Sequence, residues 1–364
     1  MQIFLHIGAE KTGTSSIQRF FKVNRDLLRS RSILYSKIAG FENHMALSAA
    51  AQHDEKVDDL RMLFQLDTTE KVRNFRKSLS ENLAAEARES GCSKLVFSGE
   101  HCSSRLVSVT EVEMLARILR PVSQDIVVVV YVRRQDDFLC STYSTDVKSG
   151  FAGPMMLPSP ALRQARYDYH ELLRRWSSVF GREKIVCRLY DTDRLEGGDV
   201  VADFAKIVGL DLAGNFVRPP RVNESLDVAT LEFLRLLNKI VPRFKDNKLN
   251  PARGNMVQIL EKISDGPSPC LPEFQLREFM EHFRRSNAQV ATEYFGGVSP
   301  AGDPLFGEAR GAKNKAEMKP IDAETAVRLA GHLWSEKQQQ VSKQAEKIAK
   351  LEGNLGRQPH KVKS

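Results

Sequence analysis

The sequence predicts an α/β fold in three layers, a central parallel sheet covered by helices, with a helical C-terminal part. Two observations carry this. Apolar runs of strand length alternate with helical patterns through the first two thirds of the 364 residues. After the break at Arg218-Pro219-Pro220, the remainder reads as helices alone. With 41% hydrophobic residues, the chain has ample material for a core of that size.

The expected strands are residues 2–7, 94–98, 126–132 and 184–189. Between the first two, Ile17, Phe20, Phe21, Asn24, Leu27 and Leu28 recur at helical spacing. A further helix is expected to begin at Thr110, where Glu113 completes a capping box, with Val112, Leu115, Ala116 and Leu119 as its apolar stripe. Segments 169–180 and 200–208 end on Gly181 and Gly209, residues that suit helix C-termini. Helices are expected over 226–241, 256–263 and 274–295, then a Gly- and Pro-rich loop over 296–320. That loop sets the expected boundary between a domain of residues 1–300 and a linker with a basic helical tail, 301–364. In the tail, Val327, Ala330, Trp334, Val341, Ala345 and Ile348 keep three- and four-residue spacing. This stripe either packs on its own domain or joins an oligomer as a short coiled coil. Residues 353–364 are expected to be disordered.

The five cysteines form no C-x-x-C pair and have no histidines at zinc-ligand spacing, so neither a disulfide framework nor a metal is expected. No apolar run approaches membrane-spanning length, and no leader pattern precedes residue 2, so a cytoplasmic protein is expected. The formal charge of +8 suggests anionic partners. Its distribution weakens that inference. Residues 313–364 hold 11 Lys+Arg against 6 Asp+Glu, a net of +5 that leaves only +3 for the rest.

Anion binding rests instead on placed residues. The first strand runs into Gly8-Ala9-Glu10-Lys11-Thr12-Gly13-Thr14-Ser15-Ser16, and a helix pattern starts at Ile17. Such a loop offers backbone N–H groups and a helix dipole to one anion, with hydroxyls from Thr12, Thr14, Ser15 and Ser16 and the charge of Lys11 beside them. A nucleoside-triphosphatase loop carries its lysine directly after the second glycine, and here Thr14 stands there. The strand 126–132 ends in Arg133-Arg134 where such an enzyme needs a magnesium-binding Asp.

Two motifs together resemble the sulfotransferases that use 3′-phosphoadenosine 5′-phosphosulfate (PAPS). Lys11-Thr12-Gly13-Thr14-Ser15 is similar to that family's K-[TS]-G-[TS]-[TS] loop. Val132-Arg133, followed by Ser141-Thr142-Tyr143, is similar to its V-R-x-x-x-x-x-x-x-S-x-Y motif. The resemblance covers residues 1–221 and looks closest to bacterial, carbohydrate-type members. It implies a P-loop-like phosphosulfate-binding fold, with Lys11, Thr12, Gly13, Thr14, Ser15 and Ser16 at the 5′-phosphosulfate. Arg133 and Ser141 would then hold the 3′-phosphate, or Arg134 and Thr142 if the register is off by one. For the adenine side, Arg218, Arg221 and Asn223 are the candidates, although Asn223-Glu224-Ser225 also suits a helix N-cap at Ser225.

The strand 94–98 ends in Gly99-Glu100-His101, where the resemblance implies residues that activate the acceptor. His101 is the first choice as base, since histidine titrates near neutrality, with Glu100 orienting it or acting itself. Lys11 would neutralise charge on the leaving group without a metal. The acceptor implied is a saccharide, glycolipid or small molecule, bound on the side built by residues 222–300. Arg163, Arg166, Arg174 and Arg175 would face an anionic glycan or simply solvent. The rivals are a P-loop-type kinase and a nucleic-acid-binding protein. The second lacks aromatics interleaved with basic clusters, and no nucleic-acid partner is expected.

Overall fold

The computed structural model describes residues 1–219, 226–245, 248–308 and 314–355. Five parallel strands form its main sheet: β1 (Gln2–His6), β2 (Ile33–Tyr35), β3 (Lys94–Ser98), β4 (Ile126–Val132) and β5 (Ile185–Leu189), in the order β2-β3-β1-β4-β5. The chain grows outward from β1 in both directions, so loops leaving the carboxyl ends of β3 and β4 diverge on either side of it. In open α/β sheets that divergence is where a ligand crevice forms.

Side chains alternate between two cores. Ile3, Leu5 and Ile7 join Leu95, Phe97, Val128 and Val130 against the helices Thr69–Ser90, Val109–Leu119 and Tyr169–Phe180. Phe4, Val96, Val129 and Tyr131 face Ile17, Phe20 and Phe21 of Thr14–Val23 and Val201, Phe204 and Val208 of Val200–Val208. Both faces of the sheet are thus covered by helices. Trp176, fully buried on the first face, is worth roughly 3–5 kcal/mol against alanine.

The described chain divides into two compact units. One comprises Met1–Thr142, Leu157–Val222 and Glu273–Gly311, and contains the sheet. The other comprises Tyr143–Met156, Asn223–Pro272 and Ala312–Ser364. Its core joins Tyr143, Val147, Leu231, Leu234, Met256, Leu260 and Leu329, drawn from the end of helix Gln135–Lys148 and from helices Val228–Ile240, Met256–Ile263 and Ala323–Leu355. Among the described residues no helix is long and apolar enough to cross a membrane, and all five cysteines are buried free thiols.

Several expectations shift. The strand Ile33–Tyr35 stands where only helices were expected. The first helical segment is two helices, Thr14–Val23 and Arg25–Ser30, broken at Asn24, whose amide donates to Phe20 O and Val217 O. The capping box is Ser108 with Glu111, two residues earlier than Thr110 with Glu113. Both pairs satisfy the pattern, but only the buried Glu111 carboxylate reaches back to the Ser108 N–H, at 3.1 Å. Helix Val228–Ile240 starts at Asp227, which accepts from Thr230 N–H, and the expected cap Ser225 lies outside the described residues. The 296–320 stretch contains a short strand, Lys315–Glu317, paired with Ser268–Cys270. Gly353 continues the last helix, and residues 356–364 lie outside the described residues.

In that last helix, Leu329 and Leu333 pack on their own unit, whereas Val327, Trp334, Val341 and Ile348 stay exposed. The stripe noted in the sequence is therefore not the face that packs. Leu329 and Leu333 lie about 100° round the helix from it.

Candidate active site

The loop between β1 and Thr14–Val23 bends through three left-handed residues, Gly8 (φ 53°), Lys11 (φ 65°) and Gly13 (φ 76°). Lysine in that region costs about 1–2 kcal/mol, strain that surrounding structure must sustain. Two contacts sustain it here. Arg133 Nη1, from the residue after β4, donates to Lys11 O at 3.2 Å, and Thr12 Oγ1 donates to Ala9 O at 2.5 Å. Gly13 could not be replaced without collision, since an added Cβ would lie 2.7 Å from Val200 Cγ1 and 3.1 Å from Tyr190 Cε2.

Gly13 O accepts from Ser16 N–H and Ile17 N–H. The Thr14 and Ser15 N–H groups, in the first turn, have no intrahelical acceptor. The lone acid of the loop, Glu10, is ion-paired with Arg166 of helix Pro160–Tyr167. Its charge therefore does not oppose an anion.

From the other side, Glu100 closes on the same loop. Thr14 Oγ1 donates to Glu100 Oε2 at 2.6 Å, and Asn43 Nδ2 approaches Glu100 Oε1 at a long 3.5 Å. His101 opens the helix His101–Arg105, and its Nδ1 is buried without a hydrogen-bond partner. Asn43 Oδ1 is likewise buried and unsatisfied.

Beneath these residues two neutral histidines pin the strand ends. His44 Nδ1 accepts from Ser98 N–H at 2.8 Å, so the proton sits on Nε2, which donates to Ser36 O at 3.0 Å. His6 Nδ1 lies 2.8 Å from Ser98 Oγ. Burial pushes both imidazoles down to about 3. Tyr169 donates to Arg133 O at 2.5 Å and fixes the backbone that carries that arginine, whose guanidinium lies 5.8 Å from the Tyr190 ring centroid.

The structure thus brings together Lys11, Thr12, Gly13, Thr14, Glu100 and Arg133. Arg134 points elsewhere, held by Asp136 at 3.1 Å and donating to Gly307 O. Ser141 lies on helix Gln135–Lys148. Arg218 pairs with Asp199 at 3.0 Å and stacks over Phe20, while Arg221 and Asn223 lie outside the described residues. Arg174 pairs with Glu171, and Arg175 donates to Val107 O. Asn43, His44, His6, Tyr169 and the Glu10–Arg166 pair were not foreseen. The sole sequence signal was the position of His6 at the end of a strand entering the loop.

No family model matches the chain. An uncharacterized protein of Archaeoglobus fulgidus is 29% identical over 174 residues, a match spanning 46% of this chain and 46% of that protein. The crystal structure of a sulfotransferase from Alicyclobacillus acidocaldarius aligns with 66% of this chain and 96% of its own, at 16% identity and a TM-score of 0.34.

Proposed function

We propose that this chain moves a sulfuryl group from PAPS to a hydroxyl or amine of a saccharide, glycolipid or small-molecule acceptor. The observation that carries the reading is the hydrogen bond from Arg133 to Lys11 O, which makes neighbours of two motifs 122 residues apart. The donor set fits a doubly anionic nucleotide. The loop presents N–H groups and hydroxyls, its acid is neutralised by Arg166, and a second cationic fork stands at the end of the adjacent strand.

When bound, PAPS supplies the sulfuryl group. The hydroxyls of Ser15 and Ser16 and the loop N–H groups, those of Thr12 and Thr14 among them, would hold its 5′ end, with Lys11 beside the bridging oxygen. The Thr12 and Thr14 hydroxyls are already engaged by Ala9 O and Glu100. Arg133 and Ser141 would hold its 3′-phosphate.

Glu100 is the better base. A histidine base needs an acceptor for its other N–H, and His101 Nδ1 is buried with none, so the favoured tautomer protonates Nε2 and leaves it a donor. Glu100, oriented by Thr14, has a carboxylate free of any such demand.

The test pairs ligand protection with transfer. Adenosine 3′,5′-bisphosphate at roughly 100 times its Kd should raise stability by about 2.7 kcal/mol, read as a shift in Tm, and Mg-ATP should not. Labelled sulfate should pass from PAPS to members of a glycan and small-alcohol panel. Protection by Mg-ATP alone would favour a kinase, and salt-sensitive oligonucleotide binding without bisphosphate affinity would favour the nucleic-acid rival.

A further inference from the structure

The helix Ala323–Leu355 has two apolar faces, and among the described residues only one is packed. Leu329 and Leu333 pack into their own unit, and Lys337 reaches Asn255. Residues 341–350 are all exposed. Along this helix Val327, Trp334, Val341 and Ile348 recur at every seventh position, and Ala330 and Ala345 fall between them. Trp334 is 69% exposed, Val341 59%, Ile348 55% and Leu351 54%. A solvated helical segment of this length is marginal alone, so its stability calls for cover along that stripe.

At about 100° per residue, Val327, Ala330, Trp334, Val341, Ala345 and Ile348 fall within an arc of about 60°, the width of a coiled-coil seam. A helix lying in a membrane surface presents a much wider apolar face. Charge placement selects the occupant further. Lys343, Glu346 and Lys350 lie on the opposite side, while Gln338 and Gln344 flank the seam. Lys337 borders it, drawn to Asn255, and Glu352 falls within its arc by position, so the seam carries one charge of each sign although the helix is basic overall. Covering Val327, Trp334, Val341 and Ile348 in both copies removes roughly 900 Å², close to the lower bound of a specific interface.

We propose that this stripe pairs with the same stripe of a second copy of the chain. The inference is independent of the catalytic reading. Sedimentation equilibrium of the full chain in the micromolar range should give at least twice the 41.0 kDa chain mass. The double variant Val341→Glu, Ile348→Glu should sediment as a folded monomer whose unfolding midpoint no longer rises with protein concentration, because both side chains are exposed within the chain. Ile348→Leu, which keeps the seam apolar, should remain associated. A monomeric wild type overturns the proposal, as does a double variant that stays associated. So does a monomer that co-sediments with phosphatidylcholine–phosphatidylserine vesicles, which would assign the stripe to a membrane surface.

Discussion

The Thr14 hydroxyl donates to the Glu100 carboxylate at 2.6 Å, tying the loop after β1 to the residue that follows β3 by two positions. The bond costs the loop a donor and fixes the orientation of an acid. Thr14→Val should therefore lower kcat by roughly tenfold, the worth of one hydrogen bond to a charged group, and Thr14→Ser should restore it. Steady-state sulfate transfer with both variants checks this. Wild-type turnover in the valine variant would show that the hydroxyl is dispensable, and equal loss in the serine variant would show that the hydroxyl alone does not carry the effect.

Replacing the two base candidates separates them. Glu100→Gln keeps shape and a hydrogen-bond acceptor but cannot take a proton, so kcat should fall about 10²–10⁴-fold while bisphosphate affinity holds. His101→Gln should lose far less. The reverse ranking, measured by transfer rate and by calorimetric titration with the bisphosphate, would return the base role to His101.

The sheet was legible because strands buried on both faces are written as unbroken apolar runs, such as 126–132, and the helix ends because Gly181 and Gly209 mark them locally. Local pattern was ambiguous at Ser108 and Thr110, each followed three residues later by a glutamate, and burial of Glu111 decided between them. The loop and Arg133 were readable because their chemistry is compressed into short motifs. Asn43 and His44 were not, because they reach Glu100 and Ser98 across more than fifty residues and carry no local signature. The Glu10–Arg166 pair is of the same kind.

Arg133 and Arg134 are adjacent in sequence but engage different partners, Lys11 O and Asp136. Arg134 is satisfied by Asp136, so Arg134→Ala should change bisphosphate affinity by no more than a factor of about two. Arg133→Ala removes a charged donor and the brace on Lys11 O, and Kd should rise roughly 10–100-fold. Adenosine 5′-phosphate, which lacks the 3′-phosphate, should bind both forms equally. Loss of its binding too would mean that Arg133 acts only by shaping the loop.

Gly13 is held to its type twice over, by a φ of 76° and by the approach of Val200 and Tyr190. Gly13→Ala should cost about 1–2 kcal/mol from the backbone, plus whatever Val200 cannot yield. Adding Val200→Ala should recover the collision but not the backbone strain, leaving the double variant short of the Val200→Ala single variant. Urea unfolding of the set measures both parts. A Gly13→Ala variant as stable as wild type would contradict the left-handed loop.

The buried histidines make stability fall with acid. His6 and His44 have folded pKa values pushed down to about 3 by burial, against about 6.5 when unfolded. Between those values the unfolded chain binds the extra protons, so stability rises with pH through the window, is complete above about 6.5 and is lost toward 3. At pH 5 each histidine has lost on the order of 2 kcal/mol relative to neutrality. Because His44 spans Ser98 N–H and Ser36 O, His44→Gln should lower stability at pH 7.5, yet its unfolding midpoint should fall less between pH 7.5 and 5.0 than that of wild type. The slope difference should amount to about one proton. Parallel slopes would mean that His44 is already protonated in the fold, which its acceptance of the Ser98 N–H forbids.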